Sequence, residues 1–424
     1  METLDDKPRE GPGRKPADHV ERVVWIAGGF VFVATWVWLT LISKRFVWGE
    51  GHAERPIVPA VVLMIVAGLA CAATAPAVFR NRRPVSIWFV LAVGLLARLL
   101  LVPSNLVQES DCYRYVLDGM SVLHGVNPFR FAPEDARTNA PPGFAESLDE
   151  PGAVLVVHRV SYPELRTIYP PLAQAAFAAG ATLTLWDWRG QRAVFLALDI
   201  ATLLLLAWGL ERTGKPLVWL AIYAWNPIVV KEIANSVHLD SLVGLCVVAL
   251  CLALVLRAEA PTIGSAAAAG IFFALAVLAK VYPLLLGPIC VAALWRGKGG
   301  MARVALFCLV GGAVIAAGVA PFLTVGFDRL TESLSTYAAT WRNNEGAYAL
   351  VAAVAPWPRV IAYAVPGIVS LAAAVFVLRA SSEQAGGRTV AAFQATLLAW
   401  FLFLPAAFPW YAVPLIAVSA LRPR

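Results

Sequence analysis

Two carboxylates, Glu109 and Asp111, stand in the stretch "QESDCYRYVLDG" directly after a run of leucines and valines. Acids in such a place invite general-base chemistry, because a carboxylate is ionised at neutral pH and takes a proton from a hydroxyl within hydrogen-bond reach. Ser110 is a good helix N-cap, Asp111 falls where the helix dipole favours negative charge, and Gly125 with Asn127-Pro128 ends the pattern. The stretch therefore predicts a short helix. Val116, Met120 and Leu123 share one stripe of it and Asp111, Tyr115 and Asp118 another, as in an amphipathic helix on a membrane surface. A solvated cap and an ordinary Arg114–Asp118 pair explain the same residues more plainly.

Three further groups accompany the acids. Arg98 lies five residues before Pro103, and Lys280 sits in "LAKVYP" two residues before Tyr282. Each either snorkels to headgroups or faces inward to hold an anion; two cations on the side of the acids suggest a phosphate beside a carboxylate. In "NPIVVKEIANSVHLDSL", the polar residues Lys231, Glu232, Asn235, His238 and Asp240 interrupt an apolar region. Their spacing matches no specific metal motif, which leaves a cavity lining, a turn between helices, or a divalent cation near His238 and Asp240. The aromatics of "FPWY", with Trp410 and Tyr411, and Trp341 beside Arg342 fit an interfacial belt or sugar stacking.

The elements that must position these residues are membrane helices. Of 424 residues, 59 % are hydrophobic and 14 % charged, with a mean hydropathy of +0.70, outside the soluble range. The net charge of +7 is scattered through short connections and forms no nucleic-acid stripe. Five cysteines lie in apolar runs and only Cys112 in a loop, so no disulfide is expected. The basic link "FRNRRP" is expected to be cytoplasmic, which places residues 1–22 inside as a tail and makes 23–103 three spans. Residues 104–168 then form a long outer loop, whose nine acidic and five basic residues suit that face. Charge parity counted back from the carboxyl terminus also puts His238 and Asp240 outside. Three apolar runs separate residue 168 from 238, and three full crossings cannot join two points on one face. One run must be re-entrant, broken or interfacial, with Pro170-Pro171 and "WNP" at Trp225 to Pro227 as break points. The expected plan is an all-α polytopic bundle of about twelve spans, with a core at 169–325, a second outer loop at 326–358 and last spans at 359–424.

No nucleotide-binding loop, HExxH pair, GxSxG elbow or dinucleotide fingerprint is present. "SDCYRYVLDGMSVLHGVNPFRFAP" resembles the first-loop signature of bacterial glycosyltransferase-C proteins. In particular it resembles family 87 and the polyprenol-phosphate-mannose-dependent alpha-mannosyltransferases. "TIYPPLAQ", "WNPIVVKEIANSVHLDSL" and "LAKVYPLLLGP" follow in that family's order, over about residues 85 to 295. The resemblance implies a multi-pass protein of the bacterial inner membrane with its active site outside. A sugar, mannose by preference, would pass from polyprenyl phosphate to a glycan or glycolipid hydroxyl, with inversion and without a metal. By position the base is Asp111, with Glu109 as runner-up. Arg98, Arg114, Lys280 and Arg342 would face the leaving phosphate, and Tyr115, Tyr169, Glu232, His238, Asp240, Tyr282, Trp410 and Tyr411 would line the substrates. Two extra amino-terminal spans precede the loop, where many relatives have one. A transporter or flippase of lipid-linked glycans would share the cations and cavity, and a noncatalytic envelope scaffold would need no acid.

Overall fold

The computed structural model describes residues 16–51, 53–82 and 84–422. Most of the expected tail, Arg83 of the basic link and the last two residues lie outside them. The described chain is all-helical; its one bridge joins Asn343 and Ala406. Five helices are long and apolar enough to cross a membrane, or six if one bent pair counts as a span. Shorter apolar helices, of 10–17 residues, pack among them.

Three helices open the chain: α1 (Pro16–Ser43), α2 (Ile57–Ala72) and α3 (Ile87–Leu101). The amphipathic α4 (Asp111–Leu123) follows, then short helical turns and α5 (Pro171–Leu183). Next come α6 (Trp188–Arg212) and a bent α7 with arms Leu217–Ala224 and Pro227–Asn235. The remainder runs α8 (Asp240–Val255), α9 (Ile263–Ala279), α10 (Tyr282–Trp295), α11 (Gly300–Val325), α12 (Phe327–Thr340), α13 (Gly346–Val354), α14 (Pro358–Leu378), α15 (Ser382–Phe403) and α16 (Pro409–Ser419).

The bundle has two chemically different ends. At the loop-bearing end, the Asn105 amide donates to Ser43 Oγ and the Asn235 side chain to Ser104 Oγ and the Asn105 carbonyl. Arg192 Nη1, at the start of α6, caps the carbonyls of Leu101, Val102 and Ser104. At the basic end, Arg80 and Arg82 pair with Glu21, Trp219 donates to Asn81, and Arg296 to the Ala380 carbonyl. The basic links thus gather at one end and the acidic loop at the other.

The three apolar runs between residues 168 and 238 form α5, α6 and the bent α7. α5 begins beside Tyr169, where Gln174 donates to the Tyr169 carbonyl and Asp118. The helix itself ends at Leu183, and Trp186 in the turn that follows stacks on Phe144 of the long loop and returns the chain to that same loop. The partner of α5 is α4, and they approach so closely that a β-carbon on Gly119 would meet the Phe177 carbonyl oxygen at 2.3 Å. Small residues permit such backbone contact, as in membrane helix pairs.

The "WNP" break lies in α7, whose arms meet at 54°. Asn226 Oδ1 caps the amides of Ile228 and Val229, Pro227 takes the first helical position, and Trp225 Nε1 donates to the Val90 carbonyl. These three contacts fix the corner. The second arm ends in a π-turn, Lys231–Asn235, the kind of local widening often found at functional sites. All six cysteines are free, and Cys112 is buried.

Candidate functional site

A cavity of ≈ 950 Å³ opens at the loop-bearing end, lined by α4, the loop before it, the corner arm of α7 and the segments around Lys280, Trp341 and Trp410. Among the candidates it contains Glu109, Asp111, Arg114, Tyr169, Glu232, Lys280, Arg342, Trp410 and Tyr411. Six segments far apart in sequence, around residues 109–114, 169, 232, 280, 342 and 410, therefore converge.

Glu109 and Asp111 play different parts. Glu109 Oε1 accepts from the amides of Ser110 and Asp111, at 2.8 and 2.9 Å, so Glu109 caps α4 in place of the expected Ser110. Ser110 Oγ instead meets Ser161 Oγ. Oε2 of Glu109 lies 3.0 Å from His238 Nε2, which is also 3.3 Å from Glu232 Oε2, and Lys231 Nζ lies 3.1 Å from Glu232 Oε1. The Asp111 carboxylate has no hydrogen bond or ion pair among the described residues and faces the cavity.

Burial favours a neutral Glu109, but the His238 charge, its hydrogen bond and Lys231 outweigh it and hold the carboxyl at about 2. For Asp111, burial and then the Glu109 charge push the carboxyl up to about 6. Burial works against a charged His238, yet Glu109 and Glu232 lift it to about 9. Two adjacent acids are thereby driven to opposite behaviour, the pattern that separates a structural carboxylate from a proton acceptor.

Lys280 is held from behind by Asp240, whose two carboxylate oxygens each lie 2.9 Å from Nζ, and it sits 4.1 Å from the Tyr411 ring centroid. Asp240 is fully buried and serves the cavity through this lysine. His238 is likewise buried behind Glu109 and stacks on Trp410 at 3.7 Å. Arg114 spends its guanidinium on the carbonyls of Ser161, Tyr162 and Leu165, pinning the far wall, and the plain Arg114–Asp118 pair does not form. Arg342 makes a bidentate pair with Glu345 at the mouth.

Three expectations are corrected. Arg98 does not reach the cavity: it is fully buried between helices, paired with Asp199 and donating to the carbonyls of Gly94 and Ala224. Tyr223 donates to the same aspartate. Burial of a cation in an apolar bundle demands a counter-ion, and α6 supplies one. Tyr115 stacks on Phe177 and meets Tyr169 edge to face in the α4–α5 packing, and Tyr282 stacks on Trp400, so neither lines the cavity.

Lys231, which the sequence marks with Glu232 as polar residues in an apolar run, lines the cavity. Tyr337 and Asn343, and the apolar wall of Leu39, Ile57, Ala60, Val61, Met64 and Ile65, carried no such sign. Nothing local distinguishes the α2 wall from any lipid-facing helix.

Glu109, Glu232 and His238 place ligand atoms within 4.8 Å of one another, a spacing that suits a metal ion. Asp240 is not in that set, being held by Lys280. No family model, curated protein or solved structure matches the chain.

Proposed function

We propose that the protein is an inverting membrane glycosyltransferase. It moves a sugar, with mannose favoured by the resemblance, from a polyprenyl-phosphate donor to a glycan or glycolipid hydroxyl. The observation that carries this reading is the unpartnered Asp111 carboxylate in a cavity with lysines on one side and an apolar wall on the other. That wall continues onto the outward face of α2, where Val58, Val61, Ile65 and Leu69 are exposed. An isoprenoid tail lying on α2 would bring its phosphate to Lys280 and Lys231.

The acceptor hydroxyl hydrogen-bonds to Asp111, which takes its proton as the oxygen attacks the anomeric carbon. The bond from that carbon to the phosphate oxygen breaks on the opposite face, and the leaving polyprenyl phosphate keeps the electron pair. Lys280 and Lys231, each steadied by a carboxylate behind it, offset the charge that grows on the phosphate. Glu109 raises the basicity of Asp111 by its fixed negative charge. His238 and Lys231 supply the positive charge that balances Glu109 and Glu232, the place a divalent ion would otherwise fill. The reaction is therefore expected to survive chelators.

In this reading the loop-bearing end faces the outside of a bacterial inner membrane. About twelve passes is the count this reading takes, with α1, α2, α3, α6, the bent α7 as one, α8 to α11 and α14 to α16; five of the helices, or six with α7, are long and apolar enough to cross by themselves. The runner-up, a flippase for lipid-linked glycans, draws support from a second cavity at the basic end. It predicts donor movement without a new glycosidic bond. Incubating purified protein in vesicles with polyprenyl-phosphate mannose and a range of acceptors separates the two, since only the transferase consumes donor and releases polyprenyl phosphate.

A further inference from the structure

The second cavity, ≈ 1060 Å³, lies at the basic end, where the links around Asn81, Arg212, Arg257 and Ser382 meet the last turn of the chain. Its cations are Arg212, Lys215, Arg257, Arg388 and Arg422, against two acids, Glu259 and Glu383. Arg388 donates to Gln384 and the Phe376 carbonyl, and Arg422 donates to the Gly387 carbonyl. Arg212, Lys215 and Arg257 are exposed and make no ion pair or side-chain hydrogen bond among the described residues; Arg212 overlies the Trp208 ring. Three like charges converging on one hollow repel one another unless an anion joins them.

The cavity is also amphiphilic. Phe79, Leu252, Val255 and Phe376 lie beneath the cations, with Phe79 and Phe376 turned outward where acyl chains would pack. The first turn of α15 adds the backbone amides of Ser382 and Glu383 without a side-chain cap from Ser381, while the Gln384 amide donates to the Ser381 carbonyl. A charged rim over an apolar floor at a bundle end is the shape that recognises a lipid with an anionic head.

We propose that this hollow is a binding site for a phosphate-bearing anionic membrane lipid, held by Arg212, Lys215 and Arg257 and distinct from the cavity containing Asp111. The site does not depend on the transferase reading, and its test reads binding alone.

The full-length protein in detergent is titrated with phosphatidylglycerol or phosphatidylcholine, and bound lipid is counted by native mass spectrometry. Wild type is expected to hold one phosphatidylglycerol on the order of tenfold more tightly than phosphatidylcholine. A triple variant, Arg212→Gln with Lys215→Gln and Arg257→Gln, is expected to lose that preference. A charge-matched control at the other end, Lys44→Gln with Arg137→Gln and Arg329→Gln, keeps it. Equal binding of the two lipids by wild type, or undiminished phosphatidylglycerol binding in the first triple variant, overturns the proposal. So does thermal stabilisation by inorganic phosphate alone equal to that by the lipid, which would make the ligand a free anion.

Discussion

Asp111 and Glu109 are the same chemistry two residues apart, and only their partners separate them. Glu109 is engaged on both oxygens, while the Asp111 carboxylate has no hydrogen bond or ion pair among the described residues. A raised carboxyl pKa means the folded state loses stability as pH rises from the usual carboxylate range through about 6. Asp111→Asn should therefore stabilise the protein by about 1–2 kcal/mol at pH 7, less than the full shift implies because cavity water reaches the carboxylate. The gain should vanish below about pH 4, where Asp111 is protonated in both states. Thermal unfolding in detergent across pH checks this. The rate of sugar transfer should fall on acidification with an apparent pKa near 6, and Glu109→Gln should move that limb lower by removing the neighbouring charge. A limb unmoved in Glu109→Gln would contradict the electrostatic role. From sequence both acids were visible; which one would be free was not, because the answer depends on His238, more than a hundred residues away.

At the scale of elements, α3 and α6 are tied by Arg98 and Asp199, and α4 and α5 by the contact at Gly119. Arg98→Ala leaves a buried aspartate unpaired and is expected to cost about 3–5 kcal/mol, whereas Arg98→Met with Asp199→Leu should recover most of it. Donor KM in the double variant should match wild type, since Arg98 lies outside the cavity. A selective rise in KM would return Arg98 to the site. The sequence showed Arg98 but gave no sign of its partner, because an acid within "LALDIATLL" has several neighbours in any bundle. The corner at "WNP" was legible, since asparagine before proline is local chemistry that needs no tertiary context. That α5 rather than α7 would pack flat against α4 was not legible, because α5 is apolar enough to mimic a span and its place is set by the Gly119 contact.

For the whole molecule, the account requires one end of the bundle to carry the chemistry and to face outside. Cysteines introduced at Thr182, at the far end of α5, and at Ser161 in the long loop should both react with a membrane-impermeant thiol reagent added to intact cells. One at Lys215 should react only after permeabilisation. Opposite labelling of positions 161 and 182 would place α5 across the membrane and break the parity. The basic links that the sequence groups on one face do gather at one end of the bundle, because short charged connections are local features; the cavity among distant segments could be anticipated but not drawn.

The most direct test of the central claim is transfer from polyprenyl-phosphate mannose in reconstituted vesicles by wild type and Asp111→Asn. The account predicts glycan product and released polyprenyl phosphate with wild type. It predicts a loss of about 10²–10⁴-fold in the variant, with expression and donor binding retained. Undiminished transfer by a well-folded Asp111→Asn protein would contradict it.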